Sequence, residues 1–71
     1  MRFELIPLDG EVADLLPLGM YRVRASWNEE PLLVLATISV RLRKKSVQFA
    51  VGARVTVEVS QLDPERGRIT R

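Results

Sequence analysis

The chain has no cysteine and no histidine, and its 71 residues include only four aromatic rings: Phe3, Tyr21, Trp27 and Phe49. Without thiol or imidazole there can be no disulfide, no Cys-His or Ser-His-Asp nucleophile pair and no ordinary zinc site. The four glycines, Gly10, Gly19, Gly52 and Gly67, fall into neither a Gly-x-x-x-x-Gly-Lys nor a Gly-x-Gly-x-x-Gly spacing, so nothing suggests a phosphate cradle. Long apolar runs are missing as well. The longest, Leu32–Ala36, is far below the roughly 20 residues needed to cross a bilayer. Met1-Arg2-Phe3-Glu4-Leu5 brings in charge early and lacks the apolar stretch of a secretion signal. These absences lead us to expect a soluble, intracellular, non-catalytic chain without cofactor, metal or membrane partner. A chain of this length forms one domain at most and buries only about 60% of its unfolded surface, so packing and backbone pairing alone must hold it together.

Charge is present, and it is unevenly spread. The net value is only +2. Residues 1–35 carry three arginines against six carboxylates, a net −3, while residues 36–71 carry eight cations against three carboxylates, a net +5. Four of the five positions from 41 to 45 are basic. A basic half beside an acidic one is the footprint of a polyanion binder, whose attraction comes mostly from phosphate neutralisation and counterion release. A solvated charge run that keeps a small domain soluble would look the same from charge alone.

Period-2 alternation dominates the rest, and no long amphipathic helix is visible. Val55, Val57 and Val59 alternate with Thr56 and Glu58; Tyr21, Val23 and Ala25 alternate with Arg22, Arg24 and Ser26. Leu32–Ile38 is apolar on both faces and reads as a central strand, with Gly10–Leu16 and Gly67–Arg71 as two further strand candidates. Leu16-Pro17-Leu18-Gly19 suits a type I turn, Trp27–Pro31 breaks the second strand from the third, and Asp63-Pro64-Glu65-Arg66-Gly67 reads as a hairpin loop with Gly67 free to take a positive φ. Only Ser39–Lys45 interrupts the β pattern, with Ser39 able to cap a short helix. The order β-β-β-(short helix or loop)-β-β predicts an all-β fold: a small, partly open, five-stranded OB-fold barrel with a short helix or loop between strands 3 and 4. An SH3-like barrel is the competing architecture.

With that order in hand, the local motifs resemble bacterial translation initiation factor 1. The matching pieces are Gly10-Glu11-Val12, Leu16-Pro17 with Met20-Tyr21-Arg22-Val23, Ala36-Thr37-Ile38-Ser39, Arg43-Lys44, Gly52, Val55-Thr56-Val57-Glu58, and Asp63 with Gly67-Arg68-Ile69. They run in family order across about residues 10–69. The resemblance implies a single S1-like OB domain over 1–71, without catalytic activity, that binds the small ribosomal subunit at its decoding site during initiation. Its partners would be ribosomal RNA, a neighbouring ribosomal protein and other initiation factors, and the protein would act as a monomer. Carried over by position, Arg43 and Lys44 match the family's Arg-Lys pair, Arg41 stands where Lys is usual, Leu42 where a Met commonly wedges against RNA, and Arg68 matches the Arg of Gly-Arg-Ile.

The departures from the family pattern are specific. Val40 replaces a family Gly, Gln48 a common Arg, Ser46 and Leu62 the usual Tyr, and Ala53 an acid. The hairpin at 26–31 is about three residues longer and carries Trp27, and the sequence stops at Arg71, short of the family's aromatic and basic tail. A divergent member or second copy fits that pattern. The expected RNA-binding set is Arg41, Leu42, Arg43, Lys44, Lys45, Arg68 and Arg71, with Arg22, Arg24, Trp27 and Arg66 as further RNA or partner contacts. Leu42 is open between an RNA wedge and a core residue of the helix. Trp27 is read first as a cap on the barrel end and second as a stacking platform. Two other classes remain open: a cold-shock-type binder of single-stranded RNA or DNA, which needs a cluster of surface aromatics, and a protein-interaction module using Trp27 and the acidic half.

Overall fold

The structure, a computed structural model, describes residues 4–71. Five strands, β1 (Leu5–Leu16), β2 (Met20–Trp27), β3 (Glu30–Ile38), β4 (Arg54–Ser60) and β5 (Asp63–Ile69), close into a barrel in the order β1-β2-β3-β5-β4. A short helix, α1 (Val40–Lys44), lies between β3 and β4, and a 3-10 turn, Pro17–Gly19, joins β1 to β2. All neighbours pair antiparallel except β3 and β5, which run parallel over Leu35–Ile38 and Arg66–Ile69. That four-residue parallel pairing closes the barrel, where the strand order by itself predicts a partly open one.

The alternation in the sequence sets what faces in. Val55, Val57 and Val59 of β4 and Tyr21, Val23 and Ala25 of β2 are all buried, with Val12, Val34 and Ile69 completing the interior from the other three strands. A strand projects successive side chains to opposite faces, so the same pattern sends Arg22, Arg24, Arg54, Thr56 and Glu58 outward. Among the described residues no polar or charged one is buried. At one end of the barrel Phe49 packs edge-on against Tyr21, ring centroids 6.0 Å apart, and its backbone N–H donates to the Tyr21 hydroxyl at 3.4 Å.

Several local expectations are corrected. Residues 63–67 are not a hairpin loop: the turn is Gln61-Leu62, and β5 begins at Asp63. Ser60 pairs with Asp63, but Val59 pairs with Gly67, so Pro64, Glu65 and Arg66 leave β4 and cross to β3, where Arg66 lies opposite Leu35. Gly67 has no positive φ; its role is close approach. A Cβ there would lie 2.6 Å from the Glu58 carbonyl oxygen and 2.9 Å from methyls of Val57 and Val59. The first strand begins at Leu5, not Gly10. Leu18 has φ 64° and Gly19 φ 72°, outside a type I turn. The β2–β3 hairpin turns through Asn28 and Glu29, both at positive φ, as a primed two-residue turn requires. Finally, β3 buries one face only: Val34 and Ala36 point in, while Leu33 is 54% exposed. Pro31 is tolerated because β5 joins that edge of β3 only from Leu35 onward, leaving no partner for the missing N–H.

Candidate nucleic-acid interface

The cationic run 41–45 becomes a single feature of the barrel end. Ser39 begins it: its backbone N–H donates to the Ile69 carbonyl at 2.9 Å, which fixes the start of α1 where the parallel strands β3 and β5 finish. The Ser39 hydroxyl then accepts from the Leu42 N–H at 3.3 Å, satisfying one orphan donor of the first turn. From that anchor α1 has one inward direction, and Leu42 takes it, half-buried against the core. At about 100° per residue, Arg41 and Arg43 then fall on the two flanks and Lys44 on the outer side. Arg41, Arg43, Lys44 and Lys45 are all exposed. Beyond α1 the chain crosses the barrel mouth and is tied down at Val12, whose N–H donates to the Ala53 carbonyl and whose carbonyl accepts from Gly52 N–H, at 2.9 and 2.8 Å.

A cleft of about 440 Å³ opens at this end between the 3-10 turn and the segment after α1, with Leu18, Arg43, Val47 and Gln48 on its walls. Leu18 is 97% exposed. It is absent from the set expected from sequence. Its only signal is an apolar residue between Pro17 and Gly19 in a turn, where burial is not available. An exposed apolar side chain on the same cleft as a guanidinium suits RNA, which offers phosphate to the cation and an apolar base face to the methyls.

The other expected residues do not join this group. Arg22 and Arg24 lie on the outer wall of β2, and Arg22 Nη1 is 3.8 Å from Asp14 Oδ2. Arg66 Nε lies 3.9 Å from Asp63 Oδ2. Both pairs are solvent-exposed and contribute little to stability. Among the described residues these are the only ion pairs, so the four cations of the α1 region carry no carboxylate partner there. Arg68 is outward on β5, between Thr37 and Glu58 in register. It is not on an edge-like strand, because β5 pairs on both sides. Trp27 is half-buried and packs against the core. Arg71 lies by β4, where its carbonyl accepts from Thr56 N–H at 3.0 Å. Arg54, a second residue outside the expected set, lines the same groove as Arg71.

A closed five-stranded barrel with a short helix between its third and fourth strands is an OB-fold domain. No protein-family model matches the chain. Among solved structures it is similar to the solution structure of translation initiation factor 1 from the Wolbachia endosymbiont strain TRS of Brugia malayi, with a TM-score of 0.70 and 30% sequence identity over 94% of this chain and 76% of that one. The chain belongs to the family of proteins like translation initiation factor 1. No helix among the described residues is long and apolar enough to cross a membrane.

Proposed function

We propose that this chain is a non-catalytic, cytoplasmic translation initiation factor, a divergent single-domain member of its family. It binds the small ribosomal subunit near the decoding site through ribosomal RNA. The observation that carries this reading is the unpaired cationic segment: Arg41, Arg43 and Lys44 exposed on α1 and Lys45 exposed just after it, with Leu18 on the same cleft as Arg43. Arginine guanidinium groups bind phosphate bidentately and stack on splayed bases, while lysines add point charge. Likeness to translation initiation factor 1 supports the ribosome as the source of that RNA. The cold-shock alternative has less support. Tyr21 is buried and Phe49 and Trp27 are half-buried against the core, so none of the described aromatics is fully exposed, where a cold-shock-type surface needs a cluster of exposed rings.

Binding to isolated small subunits, followed by co-sedimentation across a salt series, tests the reading. Four phosphate contacts predict a log–log salt slope near about −3, using roughly 0.7 per contact for single strands. The triple substitution Arg41→Ala, Arg43→Ala, Lys44→Ala should leave the fold intact, since exposed changes shift stability by less than about 0.5 kcal/mol each, yet abolish most of the affinity. Retention of wild-type affinity by that variant, or a wild-type protein that stays in the supernatant at low salt, refutes the assignment. Mutual exclusion with an ordinary initiation factor 1 on the same subunits is the expected outcome of a competition experiment.

A further inference from the structure

The wall formed by β1 and β4 carries a second cationic feature, distinct from the helix. Glu11 pairs in register with Arg24 on β2 and with Arg54 on β4, and all three face outward. On the far side of Arg54 a groove of about 330 Å³ is lined by Asp9, Gly10, Arg54, Thr56 and Arg71. It shares no lining residue with the cleft that holds Arg43. Arg71 is held there by more than sequence proximity. After β5 ends at Ile69, the chain keeps two backbone hydrogen bonds to Thr56 of β4, Thr70 N–H to the Thr56 carbonyl and Thr56 N–H to the Arg71 carbonyl, both 3.0 Å. Those bonds hold the last two residues alongside β4 and put Arg71 on the same groove as Arg54. Asp9 faces that groove, yet neither it nor Glu11 closes an ion pair with either arginine among the described residues.

We propose that Arg54 and Arg71 form a second phosphodiester-binding track, so that the domain grips RNA backbone on its β1–β4 wall as well as at α1. This rests on the ribosome-binding reading above. Two guanidinium groups over one shallow groove can each take a phosphate oxygen pair, and an open groove without an aromatic platform selects backbone over base. Asp9 is the anti-determinant: it lowers affinity for any phosphate that enters, and its removal has a predictable sign.

The test compares variants on isolated small subunits. Arg54→Ala with Arg71→Ala should weaken binding about tenfold at roughly 0.1 M salt and make the salt slope shallower by about 1.4, two contacts at roughly 0.7 each. Arg54→Lys with Arg71→Lys should keep most of that slope, because the point charge remains. Asp9→Asn should tighten binding about twofold, the scale of one exposed charge interaction. Far-UV circular dichroism checks that each variant is folded. The lysine pair and Asp9→Asn still decide the matter if the alanine pair is not. Unchanged slope in the alanine pair, or unchanged or weaker binding by Asp9→Asn, overturns the second track while leaving the helix reading intact. Failure of the wild-type protein to bind would remove both. A final arm titrates the protein with a free nucleoside triphosphate and with a single-stranded RNA oligonucleotide, reading the Gly10, Thr56 and Arg71 amides by NMR. Shifts that saturate with the oligonucleotide support a backbone track, whereas saturation by the triphosphate alone overturns it.

Discussion

At the scale of single residues, the sharpest constraint is a side chain that is not there. Gly67 sits under β4 with no room for a methyl group: the virtual Cβ meets the Glu58 carbonyl oxygen, and a backbone atom cannot step aside as a flexible side chain can. Gly67→Ala should therefore cost about 1–3 kcal/mol by overpacking, measured as a lower urea midpoint with an unchanged m-value. Gly52, at φ 93° with nothing within 4 Å of its virtual Cβ, is a glycine for the opposite reason, backbone conformation rather than space. Nothing in the one-letter string separates these two cases. Following Pro64 in an apparent turn, Gly67 reads from sequence as a conformational glycine. The actual reason needs β4 to lie across it.

At the scale of elements, α1 shows how a five-residue helix can be positioned at all. Isolated helices shorter than about 12–15 residues are marginal in water, so α1 depends on its Ser39 cap, the Ser39–Ile69 backbone bond and the burial of Leu42. Ser39→Ala should raise amide hydrogen exchange at Leu42 and Arg43 and cost about 1 kcal/mol. Leu42→Ala should cost about 1–2 kcal/mol from lost apolar burial, with a lower melting temperature in the free protein. That thermal effect distinguishes a side chain that seats the helix from one whose contribution begins only when RNA is bound; an unchanged melting temperature would mean that Leu42 does not seat the helix. The cap is legible in the sequence because Ser39 stands immediately before the helix formers. The inward turn of Leu42 is not, since a single apolar residue among four cations carries no periodicity to read.

At the scale of the whole molecule, the barrel is a small core of valines inside a charged shell. A domain of 71 residues has about 4–10 kcal/mol of stability in all. Val57 is fully buried on β4, with Leu8 of β1 and Ile69 of β5 opposite it in register. Val57→Ala removes two buried methyl-sized groups and should cost about 2 kcal/mol, a sizeable share of that total, visible as a fall in melting temperature of several degrees. A change below about 0.5 kcal/mol would show that the interior relaxes around the loss. The cations also separate at this scale. The α1 group sits at the barrel mouth, Arg54 and Arg71 on the β1–β4 wall, and Arg22 and Arg66 in surface ion pairs.

The order of elements, the inward rows of β2 and β4, the cap of α1 and the excess of positive charge in the second half are all determined by the sequence itself. Each depends on residues a few positions apart, and a period of two or a capping position is a local property of the chain. Which glycine has to be bare, where β5 begins, which way Leu42 turns and which arginines share a groove were decided only by the tertiary structure. Each of those depends on strand register and barrel closure, which bring together residues as distant in sequence as Asp9, Arg54 and Arg71.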